Sequence, residues 1–199
     1  MDLNKYKDLL SNPDRFFGSV KKDRSILRPF LFYAVVMGIF YLTSLVTSLI
    51  GQAIFAGLAG GQPIRMIVMT IISGFVGFMI ALISIFIGAG ILHLFILMLG
   101  GKGDYVQTFK LSCYAVVPFL FLAGLTLFTI ISLLGQILLV LGLIAAIIIQ
   151  LILEVKGARV LHDMSTGNAV IAIVLIPLAL GFILFILIAV LFILGLGAL

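Results

Sequence analysis

Few residues in this chain are equipped for chemistry. His93 is the only ionisable side chain deep inside the uncharged run between Arg65 and Lys102. A histidine in such an apolar setting invites a role as proton relay or ligand. It also stands one to two turns from the end of that run, where a neutral packing histidine is the plainer reading. Gly100-Gly101-Lys102-Gly103 places glycines around a lysine, as phosphate-binding loops do. Gly103 follows the lysine where such a loop needs Ser or Thr, and the required earlier glycine is missing. The stretch reads better as a helix stop, a tight turn and a restart capped by Asp104. A zinc site is not expected. His162 is the only other histidine, and no Cys or Glu stands at ligand spacing to either. The single cysteine, Cys113, excludes an intramolecular disulfide framework and lies in an apolar helical pattern that favours a buried, inert thiol. There is no Ser/His/Asp set, no paired carboxylate and no nucleotide motif, so neither enzymatic activity nor a cofactor is expected.

The elements that must position these residues follow from composition. The chain has 199 residues, 64% hydrophobic and 10% charged. A soluble domain carries roughly 25% charged residues, so this chain needs a bilayer as solvent. The net charge of +5 is unevenly distributed, which argues against nucleic-acid binding. Polar residues fall into three islands: residues 1–29, the stretch from Gly100 to Lys110, and Glu154 to Asp163.

Residues 1–29 are charged throughout and lack the apolar core of a cleavable signal peptide. Leu3, Tyr6, Leu9 and Leu10 share one helical face. Asn12-Pro13-Asp14 is a helix start: Asn12 caps, Pro13 suits the first position and Asp14 complements the dipole. Phe16, Phe17 and Val20 share a face beside Lys21 and Lys22, a pattern suited to an amphipathic helix in the headgroup plane.

A spanning helix needs about 20 apolar residues. The runs predict helices near 30–56, 64–98, 106–132, 136–157 and 168–195. The first break is expected at Gly57, Gly60, Gly61 and Pro63. In the second helix Gly77, Ala81, Ser84 and Gly88 form a stripe of small residues, which in lipid marks close packing. The uncharged run 111–153 would make a helix about 65 Å long at ~1.5 Å per residue, against a hydrocarbon thickness of about 30 Å. It must fold back, and Ser132, Gly135 and Gln136 mark the turn. Pro118 and Pro177 remove the usual partners of the Tyr114 and Ile173 carbonyls. Each carbonyl then needs a neighbour, a hydroxyl or water. Structural kinks are the plainer reading, and a shared polar spot where they meet is the sharper one. Ser165 or Asn168 caps the last helix.

The fold class expected is therefore all-α: a polytopic integral membrane protein with five transmembrane helices and a short interfacial amphipathic helix. Residues 1–29 form a basic segment and residues 30–199 the membrane domain. Five spans put eleven of the twelve basic residues on one side and leave Arg65 alone on the other. The positive-inside rule then places the N-terminus in the cytoplasm and the C-terminus outside.

Several pieces in order resemble one family. Asn12-Pro13 and Phe16-Phe17 precede the first span, and His93 lies near the end of the second. Gly100-Gly101-Lys102-Gly103-Asp104-Tyr105-Val106-Gln107-Thr108 and Tyr114-Ala115-Val116-Val117-Pro118 follow, then His162-Asp163-Met164-Ser165 running into Ala169. Together they resemble the YIP (Ypt/Rab-interacting protein) family of small five-helix membrane proteins. Eukaryotic relatives act in traffic between endoplasmic reticulum and Golgi and bind prenylated Rab-type GTPases. Their long cytosolic region and its Asp-Leu-Tyr-Gly-Pro type motif have no counterpart here. The short basic segment is similar to that of bacterial and archaeal members, which implies a prokaryotic cell membrane. Rab binding is not carried over.

The functional expectation is a non-enzymatic protein that organises or shapes membrane, or docks a partner, through its cytoplasmic face. That face would comprise Phe16, Phe17, Lys102, Asp104, Tyr105, Gln107, Lys110, Glu154, Lys156, Arg159 and His162. Its partners would be anionic lipid headgroups or a protein, with an ion pair from Lys102, Lys110 or Arg159 offsetting desolvation of Glu154. The alternative is a small transporter or channel with a polar path through His93, Tyr114, Pro118 and Pro177.

Overall fold

Long apolar runs punctuated by glycine, proline and capping residues become helices, because hydrocarbon leaves backbone groups no partner outside the helix. The computed structural model describes residues 3–59, 63–130 and 133–196. Helices α1 (Leu3–Ser11) and α2 (Pro13–Val20) precede the long helices α3 (Leu27–Ala59) and α4 (Pro63–Met98). The third span is α5 (Tyr105–Ala115) and α6 (Phe119–Thr126), closed by a tight 3₁₀ turn over Leu127–Ile130. Helix α7 (Leu133–His162) is the fourth. The fifth runs from α8 (Thr166–Val170) through a π-helical turn (Ile171–Leu175) into α9 (Ile176–Leu196). Five helices are long and apolar enough to cross a membrane, and no strand occurs among the described residues. The protein is an all-α, multi-pass integral membrane protein.

Local signals set the helix ends. Asn12 Oδ1 accepts from the Arg15 amide at 3.2 Å with Pro13 in the first position. Asp104 Oδ1 accepts from the Gln107 amide at 3.1 Å. Ser165, rather than Asn168, caps α8, accepting from the Asn168 amide at 3.2 Å. Helix α4 stops at Gly100, whose φ of +82° only glycine adopts at little cost. The Gly101 amide then reaches back to the Ile96 carbonyl at 3.0 Å and the Gly100 amide to Leu97 at 3.1 Å, which satisfies carbonyls the helix leaves open.

Three boundaries depart from expectation. The fourth span starts at Leu133, so Gly135 and Gln136 are helical. The turn precedes them, and Ser132 lies outside the described residues, as do Gly60 and Gly61. Helix α7 also continues to His162 rather than residue 157, ending where Asp163 takes φ 50°. The third span is not one helix. Pro118 breaks it, and the Val117 amide turns back to satisfy the Tyr114 carbonyl at 3.3 Å. Val116, Val117, Ala172 and Ile173 around the two proline sites are apolar and buried, while Pro118 is buried and Pro177 exposed.

The core lies toward the end of the bundle where the three polar islands meet. Helix α3 packs on α4, α5 and α6, and α5 packs between α4 and α7. Of the small-residue stripe, Gly77 and Ala81 face α3: Gly77 lies against the Tyr41 ring, and the Ala81 carbonyl accepts from Tyr33 Oη at 2.9 Å. Ser84 and Gly88 instead border a cleft.

Candidate functional site

The polar end is assembled from the N-terminal segment, the α4–α5 loop and the α7–α8 loop. Helix α2 packs on α7. Pro13, Phe16, Phe17 and Val20 are its buried face. Phe17 fits over Gly157, where any side chain would meet the Phe17 ring and Leu111. Phe16 sits edge-on to Tyr114, with ring centroids 4.9 Å apart and planes at 85°, a favoured aromatic geometry. The paired phenylalanines are therefore buried by protein, not by headgroups. The sequence pattern states their need for an apolar site without naming its walls.

Three contacts lock the segment down. Lys110 Nζ, nearly fully buried, donates to the Val20 carbonyl at 2.9 Å and also to the Asp23 carbonyl. It thereby places a cation at the C-terminal end of α2, where the helix dipole favours one. Gln107 Nε2 donates to the Lys21 carbonyl at 2.6 Å. Lys21 Nζ pairs with Asp163 Oδ1 at 2.6 Å, and this contact holds the Asp163 carboxyl below its ordinary pKa.

Beneath that layer, Thr108 joins two histidines from different spans. Its Oγ1 lies 2.8 Å from His93 Nδ1 and 3.1 Å from His162 Nε2. A hydroxyl donates one hydrogen bond while accepting another, so it bridges two neutral imidazoles without a net charge. Thr108 and His162 are fully buried. The loop closes over them. The Lys102 amide donates to the His162 carbonyl at 2.9 Å, and a Cβ on Gly103 would fall 2.4 Å from His162 Nδ1. Asn168 Nδ2 adds a bond to the Leu99 carbonyl at 3.0 Å.

The structure sorts the expected surface residues into two groups. Lys102, Asp104 and Arg159 are exposed, and Tyr105, Gln107 and Lys156 half-buried. Phe16, Phe17, Lys110, Glu154 and His162 are buried and present no surface. The outward polar set gains Lys22 and Arg24, which like Lys102 and Arg159 are exposed and in no ion pair among the described residues. Tyr105 Oη donates to the Phe86 carbonyl at 3.0 Å.

The ion pair expected for Glu154 is not formed. Its Oε1 accepts from Gln150 Nε2 at 3.0 Å instead. The cations proposed for it serve the polar end, and Gln150 is one turn away on the same face of α7. Glu154 borders a cleft of about 340 Å³ with Tyr33, Ser84, Ser112 and Gln150 among its walls. His93, Tyr114, Pro118 and Pro177 do not line it. Tyr33, Ser112 and Gln150 escaped the sequence reading, because isolated polar residues in apolar helices carry no spacing signal. Thr108 was visible only as part of the loop stretch.

Among known protein families, the Yip1 domain matches residues 7–188 of the chain. No curated protein and no solved structure matches it.

Proposed function

The chain belongs to the Yip1 family, and from that premise we propose that it is a non-enzymatic organiser of the membrane that gathers anionic lipid headgroups at its polar end. The observation that carries this reading is the division of cations there. Lys110 is turned inward and Lys21 is paired with Asp163, so both hold the segments together. Lys22, Arg24, Lys102 and Arg159 remain exposed on the three joined segments. A cation beside an anionic leaflet contributes about 1 kcal/mol, so four on one face give a preference that salt weakens. The charge asymmetry of the loops supports a cytoplasmic position for this face, with the C-terminus outside. The engagement of His93, His162 and Lys110 in packing contacts supports a structural rather than catalytic use of these groups.

The test is lipid selectivity of the full-length protein in mixed bilayers, read by spin-labelled lipids. Phosphatidylserine should be enriched at the protein over phosphatidylcholine. The enrichment should fall with salt and in the quadruple variant K22A/R24A/K102A/R159A. Equal occupancy by both lipids at low salt would overturn the reading.

A further inference from the structure

The cleft beside Glu154 has no part in the polar end. It opens between α4 and α7, with Ser112 of α5 and Val116 just beyond it at its floor and Tyr33 and Met37 of α3 at its side. Glu154 stands two turns before His162, about 12 Å along the helix at ~1.5 Å per residue. The cleft therefore lies below the polar layer, at the depth of lipid chains. Its volume of about 340 Å³ is within the range of sites for small ligands.

The hydrogen-bonding inventory of its walls is weighted towards acceptors, although the Ser112 hydroxyl can both donate and accept. Tyr33 Oη and Ser84 Oγ both donate to the Ala81 carbonyl, at 2.9 and 3.0 Å. Gln150 Nε2 donates to Glu154. The Tyr33 and Ser84 donors are occupied, and Gln150 Nε2 spends one of its two on the carboxylate. The hydroxyl oxygens of Tyr33 and Ser84, the Gln150 carbonyl oxygen and the second Glu154 oxygen keep lone pairs. No cation of the chain pairs with Glu154 among the described residues. A buried carboxylate without a cation is costly, and an ionisable residue at this depth marks a site by default.

We propose that this cleft binds the protonated primary amine of an amphiphile, with the ammonium on Glu154 and the hydrocarbon chain along the apolar walls of α4 and α7. An ammonium supplies three donors and one positive charge to a site that offers acceptors and one carboxylate. A hydroxyl head supplies one donor and no charge. A trimethylammonium head supplies charge and no donor. The same amine chemistry is carried by a single-chain amine and by an aminophospholipid.

The experiment is a thermal unfolding assay on the full-length protein in detergent, read by a thiol-reactive dye. Cys113 is the only cysteine and is fully buried, so labelling reports unfolding. Dodecylamine at saturation should raise the midpoint by on the order of 5 °C. Dodecanol and dodecyltrimethylammonium should raise it far less. The shift should vanish in Glu154→Gln. It should also vanish in Gly88→Leu, which fills the cleft at a position where a Cβ meets nothing within 4 Å and keeps Glu154. A shift with phosphatidylethanolamine but not phosphatidylcholine would support the proposal and assign the aminolipid. A shift with dodecylamine alone would support it and assign a single-chain amine. Equal shifts from all head groups, a shift that survives in both variants, or no shift with any amine would overturn it. The outcome is independent of anionic-lipid selectivity at the polar end.

Discussion

Lys110 Nζ donates to the carbonyl of Val20, ninety residues away in sequence, at 2.9 Å. The ammonium thereby closes the C-terminal end of α2 and fastens the N-terminal segment to the third span. In Lys110→Met the side-chain volume is kept, but the Val20 and Asp23 carbonyls lose their donor. A lost bond to a charged group costs about 1.5–3 kcal/mol. The unfolding midpoint should fall accordingly, and trypsin should cut the Lys21 to Arg24 segment faster in the folded protein. Unchanged cleavage would show that α2 stays docked without it.

Thr108 links spans two, three and four through His93 and His162. Thr108→Val keeps the shape and removes the hydroxyl, taking its partner from a half-buried nitrogen of His93 and a buried one of His162. Stranding a buried polar group such as His162 costs about 1–3 kcal/mol. Thr108→Ser should recover most of the loss, because it restores the oxygen. Thermal unfolding of the three proteins side by side checks this, and equal midpoints for the valine and serine variants would count against the bridge.

The loop needs glycine at position 103 for closeness. In Gly103→Ala the methyl group would meet His162 Nδ1 and the Leu161 carbonyl, at 2.4 and 2.9 Å. Overpacking of this kind costs typically about 1–3 kcal/mol. Gly18→Ala meets nothing within 4 Å and should be neutral or slightly stabilising in a helix. The two unfolding midpoints should therefore move in different directions or by clearly different amounts.

The Lys21–Asp163 pair gives a pH dependence with a definite sign. Asp163 has a folded pKa below its ordinary value of 3.8. Its contribution is fully present above the unfolded pKa and is lost as pH falls through the lowered folded value. The stability difference between the protein and Asp163→Asn should be present at pH 6 and shrink below pH 4. The pair is exposed, so the difference should be small and fall with salt. A difference that grew on acidification would contradict the assignment.

How much of this was legible in the sequence follows from the range of the interactions. The caps at Asn12, Asp104 and Ser165 are decided within one turn, and they were readable. The number of spans follows from bilayer thickness and was readable too. The side on which Phe16 and Phe17 find cover was not, because a pair of aromatic residues suits lipid and protein equally. The break at Pro118 was visible, while its satisfaction by the Val117 amide depends on backbone geometry. The clasp at Thr108 joins residues 15 and 54 positions away, and no periodicity encodes such pairs. The Gln150–Glu154 bond was within reach, since four-residue spacing on a helix places both on one face.

The central claim is that residues 7–29, the α4–α5 loop and the α7–α8 region form one basic face on the cytoplasmic side. Site-specific labelling with a membrane-impermeant maleimide in intact cells tests it most directly. Single cysteines replace Lys22, Lys102, Arg159 or Arg65, with the buried Cys113 left in place. The account predicts that only Arg65→Cys is labelled from outside, and that the other three react together after permeabilisation. Labelling of Lys22→Cys, Lys102→Cys or Arg159→Cys in intact cells would contradict it.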